Sequence, residues 1–208
     1  MFIDRAGLPF IVGALALALI ALWFGGRWWA LPMVVMAAFF VFFFRDPNRT
    51  VPTAPGLVVA PGDGRVMIAG DAPGPGAPAG EWRQISLFLS PMDVHVNRTP
   101  VEGRVTHIEY HPGEWLPAYR IEAGHLNEWS ETWFVRGSRT FVCRQIVGML
   151  ARRVVNRLTV GDEVTRGQRY GVMKFGSRID LYVPPDFVIA VTPGDKVVAG
   201  ETVLAREP

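Results

Sequence analysis

A mainly β domain preceded by an N-terminal α-helical hairpin is the fold class that this 208-residue sequence predicts. Three observations carry it. Residues 8–24 and 28–44 are apolar runs separated by Gly25-Gly26-Arg27. After Asp46 the chain breaks into short β-branched and aromatic segments bounded by Gly and Pro, and long helical periodicity is absent. Finally, G-D-x-V-x-x-G occurs at Gly161-Asp162-Glu163-Val164-Thr165-Arg166-Gly167 and, 33 residues later, at Gly194-Asp195-Lys196-Val197-Val198-Ala199-Gly200. A repeated turn-and-strand unit suggests two β-layers folded on each other.

Each apolar run has 17 residues. As helix, each would reach roughly 25 Å against a hydrocarbon core of about 30 Å. Two arrangements stay open: a hairpin across the bilayer, or one dipping into a single leaflet. Trp23, Trp28 and Trp29 cluster at the turn, as interfacial aromatics do. Pro9 and Pro32 lie in the first turns of the runs, where a missing N–H costs little. Arg5, Arg45 and Arg49 flank the hairpin and only Arg27 is in its turn. The positive-inside rule then puts both ends, and the following domain, on the cytoplasmic side of the cell (inner) membrane.

A net charge of +2 is too small to argue for nucleic acid and is compatible with work near anionic lipid. The single cysteine, Cys143, excludes an internal disulfide and a cysteine-based zinc site; in Phe141-Val142-Cys143 it reads as a buried small hydrophobe. Leu57-Val58-Val59, Arg65-Val66-Met67-Ile68, residues 84–89 and Thr140-Phe141-Val142 read as strands. Residues 71–80, rich in Pro, Gly and Ala, read as a loop. Residues 145–157 fit either a short helix or a long strand.

The chemistry centres on Gly176-Ser177. A serine after a glycine at a tight turn can attack the preceding carbonyl, because glycine has no Cβ in the way and tolerates angles that strain other residues. The pair sits in Phe175-Gly176-Ser177-Arg178-Ile179-Asp180. Upstream stand Phe43-Phe44-Arg45-Asp46-Pro47, Ala60-Pro61-Gly62-Asp63-Gly64, Ser90-Pro91-Met92-Asp93-Val94-His95-Val96-Asn97-Arg98 and Gly124-His125-Leu126-Asn127-Glu128. In this order the stretches resemble the phosphatidylserine decarboxylases, in their short bacterial form.

The resemblance implies a pyruvoyl-dependent enzyme that cuts itself at Gly176-Ser177 into a β chain, 1–176, and an α chain, 177–208. These stay together as a heterodimer, with higher oligomers left open. Residues 1–46 would be the membrane hairpin and 47–208 the catalytic domain. The pyruvoyl group would derive from Ser177 and form a Schiff base with phosphatidylserine, giving phosphatidylethanolamine without metal or diffusible cofactor. His95 and Asp63 match the family's functional histidine and carboxylate. Larger members carry a second histidine where this chain has Arg98, so His95 serves two roles or another of His107, His111 and His125 takes one. A phosphate and a carboxylate on the headgroup call for cations, and Lys174, Arg178 and Arg98 are the candidates within the motifs. The loop 113–119, with Trp115 and Leu116, either touches lipid or packs on the domain.

Two other readings are kept. The repeat, with Met173-Lys174 between its copies, looks like the half-motif of biotinyl and lipoyl carrier domains, which implies a barrel-sandwich architecture and, as a rival function, a carrier module. A pyruvoyl decarboxylase for another serine-headgroup lipid shares the same chemistry.

Overall fold

The computed structural model describes residues 2–71, 74, 76–149, 154–174 and 176–208. Its contacts divide the chain into two compact units, 1–48 and 49–208.

In the first unit, α1 (Leu8–Gly25) and α2 (Arg27–Phe43) are joined at Gly26, whose φ of +79° suits glycine. The helices are antiparallel. Phe10 meets Phe40 and Phe44 with ring centroids 5.5 Å apart in each case, and β1 (Phe2–Ile3) pairs with β2 (Arg45–Asp46) at the open end. Pro9 falls in the first turn, as expected. Because α2 begins at Arg27, Pro32 lies inside the helix and deletes the hydrogen bond to the Trp28 carbonyl. Ala14, Ala18, Ala30 and Ala37 are buried, while Leu15, Leu19, Trp23, Phe24, Trp28 and Trp29 are exposed. The helical stretch Arg5–Gly25, 21 residues with mean hydropathy 2.3, is long and apolar enough to cross a membrane by length and composition; Arg27–Phe43 is apolar but shorter.

The second unit is mainly β. In chain order its strands are β3 (Leu57–Val59), β4 (Gly64–Gly70), β5 (Arg83–Leu89), β6 (Val96–Arg98), β7 (Gly103–His111), β8 (Trp129–Arg136), β9 (Arg139–Val147), β10 (Val154–Asn156), β11 (Glu163–Val164), β12 (Arg169–Met173), β13 (Ser177–Val183), β14 (Val188–Ile189), β15 (Lys196–Val197) and β16 (Val203–Arg206). A single turn of helix, α3 (Ala123–Leu126), precedes β8. The four expected strands are present, each as part of a strand at least as long. The described residues of 71–80 lie outside strands and helices, with 72, 73 and 75 outside the described set. Of 145–157, the first three residues end β9 and 154–156 form β10, while 150–153 lie outside the described residues.

Eight strands form one antiparallel sheet in the order β11-β7-β8-β9-β13-β5-β4-β15, and two three-stranded sheets follow the orders β10-β12-β6 and β14-β16-β3. The arrangement is internally duplicated. Pro61-Gly62-Asp63-Gly64-Arg65-Val66 recurs as Pro100-Val101-Glu102-Gly103-Arg104-Val105. The two copies pair equivalently with the two G-D-x-V turns: Gly64 faces Val197 and Gly103 faces Val164. The turn hydrogen bonds repeat too. Gly194 N–H donates to the Val66 carbonyl and Gly161 N–H to the Val105 carbonyl, at 2.9 and 2.8 Å. In each turn the aspartate accepts from the threonine three residues earlier, Asp162 from Thr159 and Asp195 from Thr192. These bonds hold the Asp162 carboxyl below its ordinary pKa.

The core is contributed by all three sheets. Val58, Met173 and Leu204 from the small sheets cluster with Leu87, Cys143, Ile179 and Leu181 from the large one. β13 is buried along its whole length because β5 and β9 flank it. Cys143 is fully buried against the Tyr170 hydroxyl at 3.3 Å, and burial pushes its thiol up to about 12.

Candidate active site

Ser177 is the first residue of β13, opposite Leu89 on β5 and Val147 on β9. It is fully buried, and its hydroxyl has no hydrogen-bond partner among the described residues. A buried hydroxyl without a partner is costly and asks for an explanation. Gly176, immediately before it, has φ +77°, a conformation open to glycine. Gly176 also packs its carbonyl directly on the Cα of Gly148, leaving no room there for a Cβ. Phe175 lies outside the described residues.

His95 reaches this turn from the segment before β6. Its Nε2 accepts the Gly176 N–H at 3.4 Å, and its Nδ1 stands 3.0 Å from the Asp93 carbonyl oxygen. A carbonyl only accepts, so Nδ1 carries the proton and Nε2 is the basic nitrogen that meets the Gly176 N–H. The Asp93 carboxylate caps its own turn by accepting the Ser90 N–H at 2.8 Å. Sequence reasoning missed the Asp93 carbonyl because every residue has one.

Asp63 is engaged elsewhere. Its carboxylate accepts from Arg49 at 2.8 and 2.9 Å and from the Ala199 N–H at 2.8 Å, and its described hydrogen bonds do not include His95. The other histidines lie apart from residue 176 in their contacts. His107 pairs loosely with Glu109 at 3.7 Å, His111 stacks on Trp129 at 4.9 Å, and the His125 Cβ packs against Gly76.

The three expected headgroup cations are placed differently. Arg178 is 2% exposed, and its guanidinium donates to Asp180 Oδ1 at 2.6 Å, to the Arg120 carbonyl at 3.2 Å and to Ser86 Oγ at 3.3 Å. That leaves it no exposed face for a headgroup. Arg98 is buried, donates to the Gly167 carbonyl at 3.0 Å and packs on Gly200, so it lies between the last glycines of the two repeat copies. Lys174 is half-buried just beyond β12.

Over Gly176 opens an apolar cavity of about 140 Å³, lined by Phe88, Pro91, Pro117, Ala118, Tyr119, Gly148, Met149 and Gly176. The loop on one side of it is held by Asn127. That side chain accepts the Leu116 N–H at 2.9 Å and donates to the Leu116 and Val147 carbonyls at 2.8 Å each. Asn127 thus ties the 113–120 loop to the strand end opposite Ser177, a role its sequence position did not reveal.

The site thus holds a buried serine hydroxyl with no hydrogen-bond partner among the described residues, directly after a left-handed glycine whose N–H meets a histidine nitrogen. The comparisons with known proteins identify the family. Residues 36–205 match the family model described as phosphatidylserine decarboxylase. Proteins named "Phosphatidylserine decarboxylase proenzyme" from Symbiobacterium thermophilum, Nitrosomonas eutropha and Salinibacter ruber are 44%, 42% and 45% identical. The alignments cover 99%, 98% and 90% of this chain, and 96%, 94% and 86% of those proteins. The chain belongs to the phosphatidylserine decarboxylase family, and it is an enzyme of the decarboxylase class.

Proposed function

We propose that this protein is a proenzyme that cuts itself at Gly176-Ser177 and then decarboxylates phosphatidylserine to phosphatidylethanolamine at the new chain start. The observation that carries the reading is His95 Nε2 at 3.4 Å from the Gly176 N–H, one residue before a buried Ser177 hydroxyl that has no partner among the described residues.

In this reading His95 trades the Gly176 N–H for the Ser177 hydroxyl and takes its proton as Oγ attacks the Gly176 carbonyl. The peptide bond becomes an ester, and the freed nitrogen is the amine of residue 177. Loss of the Ser177 α-proton then expels the Gly176 carboxylate and leaves dehydroalanine. Water replaces its nitrogen, ammonia leaves, and residue 177 becomes pyruvoyl. The residues present fit that group: residue 177 is buried, and a Cβ built on Gly176 would meet nothing nearer than Pro91 at 3.9 Å. The pyruvoyl group supplies an electron sink for the substrate amine, which lets the carboxylate leave as carbon dioxide. In the second half this reading has His95, protonated, return a proton to the substrate carbon.

Asp63 is read as a positioning residue. It belongs to the large piece and binds the Ala199 N–H of the small one. With β13 held between β5 and β9, β15 against β4 and β16 against β3, these contacts support a heterodimer that persists after cutting. The duplicated β-layers support a barrel-sandwich relative of carrier domains, with a boundary near residue 46. The exposed apolar faces of α1 and α2 support a membrane hairpin with the β unit on the cytoplasmic side. Lys174 and Arg98 keep a headgroup role only if substrate entry exposes them. In the test, Ser177→Ala stays one uncut, inactive chain, while Ser177→Cys and Ser177→Thr cut slowly. Cutting by the alanine variant would defeat the reading.

A further inference from the structure

Exposed large apolar side chains on the β unit are unevenly spread. Nine are exposed among its described residues, and six of them, Met92, Trp115, Tyr119, Ile121, Leu126 and Met149, belong to the segments bordering the Gly176 cavity. Tyr119 and Met149 line that cavity, together with Pro91 next to Met92. Trp115 and Leu126 are joined to the same rim by the Glu114 N–H bond to the Leu126 carbonyl, at 2.7 Å. Met92, Tyr119, Ile121 and Met149 are each between 61% and 63% exposed. Side chains this large and this wet are unfavourable in water, and clustered at a cavity mouth they mark a surface that meets something apolar.

We propose that this rim is a second membrane contact, separate from the hairpin. It enters the headgroup layer and opens the Gly176 cavity sideways to lipid, so that the substrate headgroup reaches residue 177 while its acyl chains stay in the bilayer. The inference rests on the lipid substrate proposed above. A bilayer is the occupant because the patch is continuous with the cavity that would receive a lipid headgroup. Trp and Tyr at its edge also combine an apolar body with a polar tip, as interfacial anchors do. Every methylene pulled out of the bilayer carries a hydrophobic cost, which lateral entry avoids.

The test uses the full chain reconstituted in phosphatidylcholine vesicles containing phosphatidylserine. An environment-sensitive fluorophore is attached at Ile121→Cys or, as a control on an exposed turn, at Val160→Cys; Cys143 is buried and stays unlabelled. The label at 121 should shift to the blue and be quenched by lipids carrying a shallow quencher, and the label at 160 should do neither. In parallel, Ile121→Glu with Trp115→Glu should cut itself at the normal rate in detergent. It should act normally on a short-chain phosphatidylserine below its micelle concentration, and lose at least tenfold on vesicles. A water-exposed label at 121, or undiminished vesicle activity, overturns the proposal. So does a shift that follows protein rather than lipid concentration, which would assign the face to a second copy of the chain. If the unsubstituted chain processes neither form of phosphatidylserine, the substrate reading has failed, and the label still reports on the membrane contact.

Discussion

Arg178→Met separates two uses of a cation beside residue 177. The guanidinium and the Asp180 carboxylate are 2% and 1% exposed and 2.6 Å apart. Removing the cation leaves a buried carboxylate in the central strand without the guanidinium that donates to it at 2.6 Å. Breaking a buried pair from one side costs about 3–5 kcal/mol, a large share of the ~5–15 kcal/mol that holds a domain folded. Adding Asp180→Leu removes both charges and should recover at least half of the loss, because the net contribution of a buried pair is small. Arg178→Lys keeps the charge but loses the fork that reaches Asp180, Ser86 and Arg120 together, and should fall between Met and the parent. Pulse proteolysis in urea, on the uncut Ser177→Ala chain in detergent, measures these midpoints on one covalent chain. An Arg178→Met midpoint equal to that of its parent would refute the reasoning. If the same change in the cleavable chain raised only KM for phosphatidylserine, Arg178 would return to the headgroup site.

Three further outcomes follow from the geometry. Gly148→Ala adds a Cβ on top of the Gly176 carbonyl oxygen; it should fold, by circular dichroism, yet cut itself at least tenfold more slowly on a gel time course. Asp93→Ala removes the acceptor that fixes the 90–93 turn and should slow cutting about tenfold, within the contribution expected of a positioned general base, while Asp93→Asn keeps an acceptor and should restore the rate; equal rates for the two would sink the assignment. Burial raises the Cys143 thiol from 9.0 to about 12, so above pH 9 the unfolded chain sheds a proton that the folded chain keeps, and stability falls as pH rises from 9 toward 12. The urea midpoint should therefore drop less between pH 8 and 10.5 in Cys143→Ala than in the parent.

The helical hairpin was legible because two uninterrupted apolar runs around Gly25-Gly26 admit little else, although Arg27 joined α2 and moved Pro32 into the helix. His95 and Gly176-Ser177 were legible as motif, and the 3.4 Å contact brings them together. The second internal repeat, Pro61 to Val66 against Pro100 to Val105, was present in the sequence and went unread; searching both halves at an offset near that of the G-D-x-V turns would have found it. Arg98 and Arg178 read as headgroup cations and Arg144 drew no reading, yet all three are buried. Nothing in a local sequence says that a carboxylate lies across the sheet, as Glu131 does for Arg144 at 2.5 Å. Asp63 read as the partner of His95, but its oxygens are taken by Arg49 and Ala199, the latter 136 residues away in sequence. Contacts of that span are set by topology, which a local stretch of sequence does not carry.

The central claim is that this chain makes its own reactive group from Ser177, and intact mass spectrometry of the purified active protein tests it most directly. The account predicts two masses, for residues 1–176 and for a 32-residue piece (208 − 176). The small piece should weigh as a pyruvoyl chain rather than a serine chain and resist Edman sequencing. A fully active preparation with a single 208-residue mass and an intact Ser177 would contradict it.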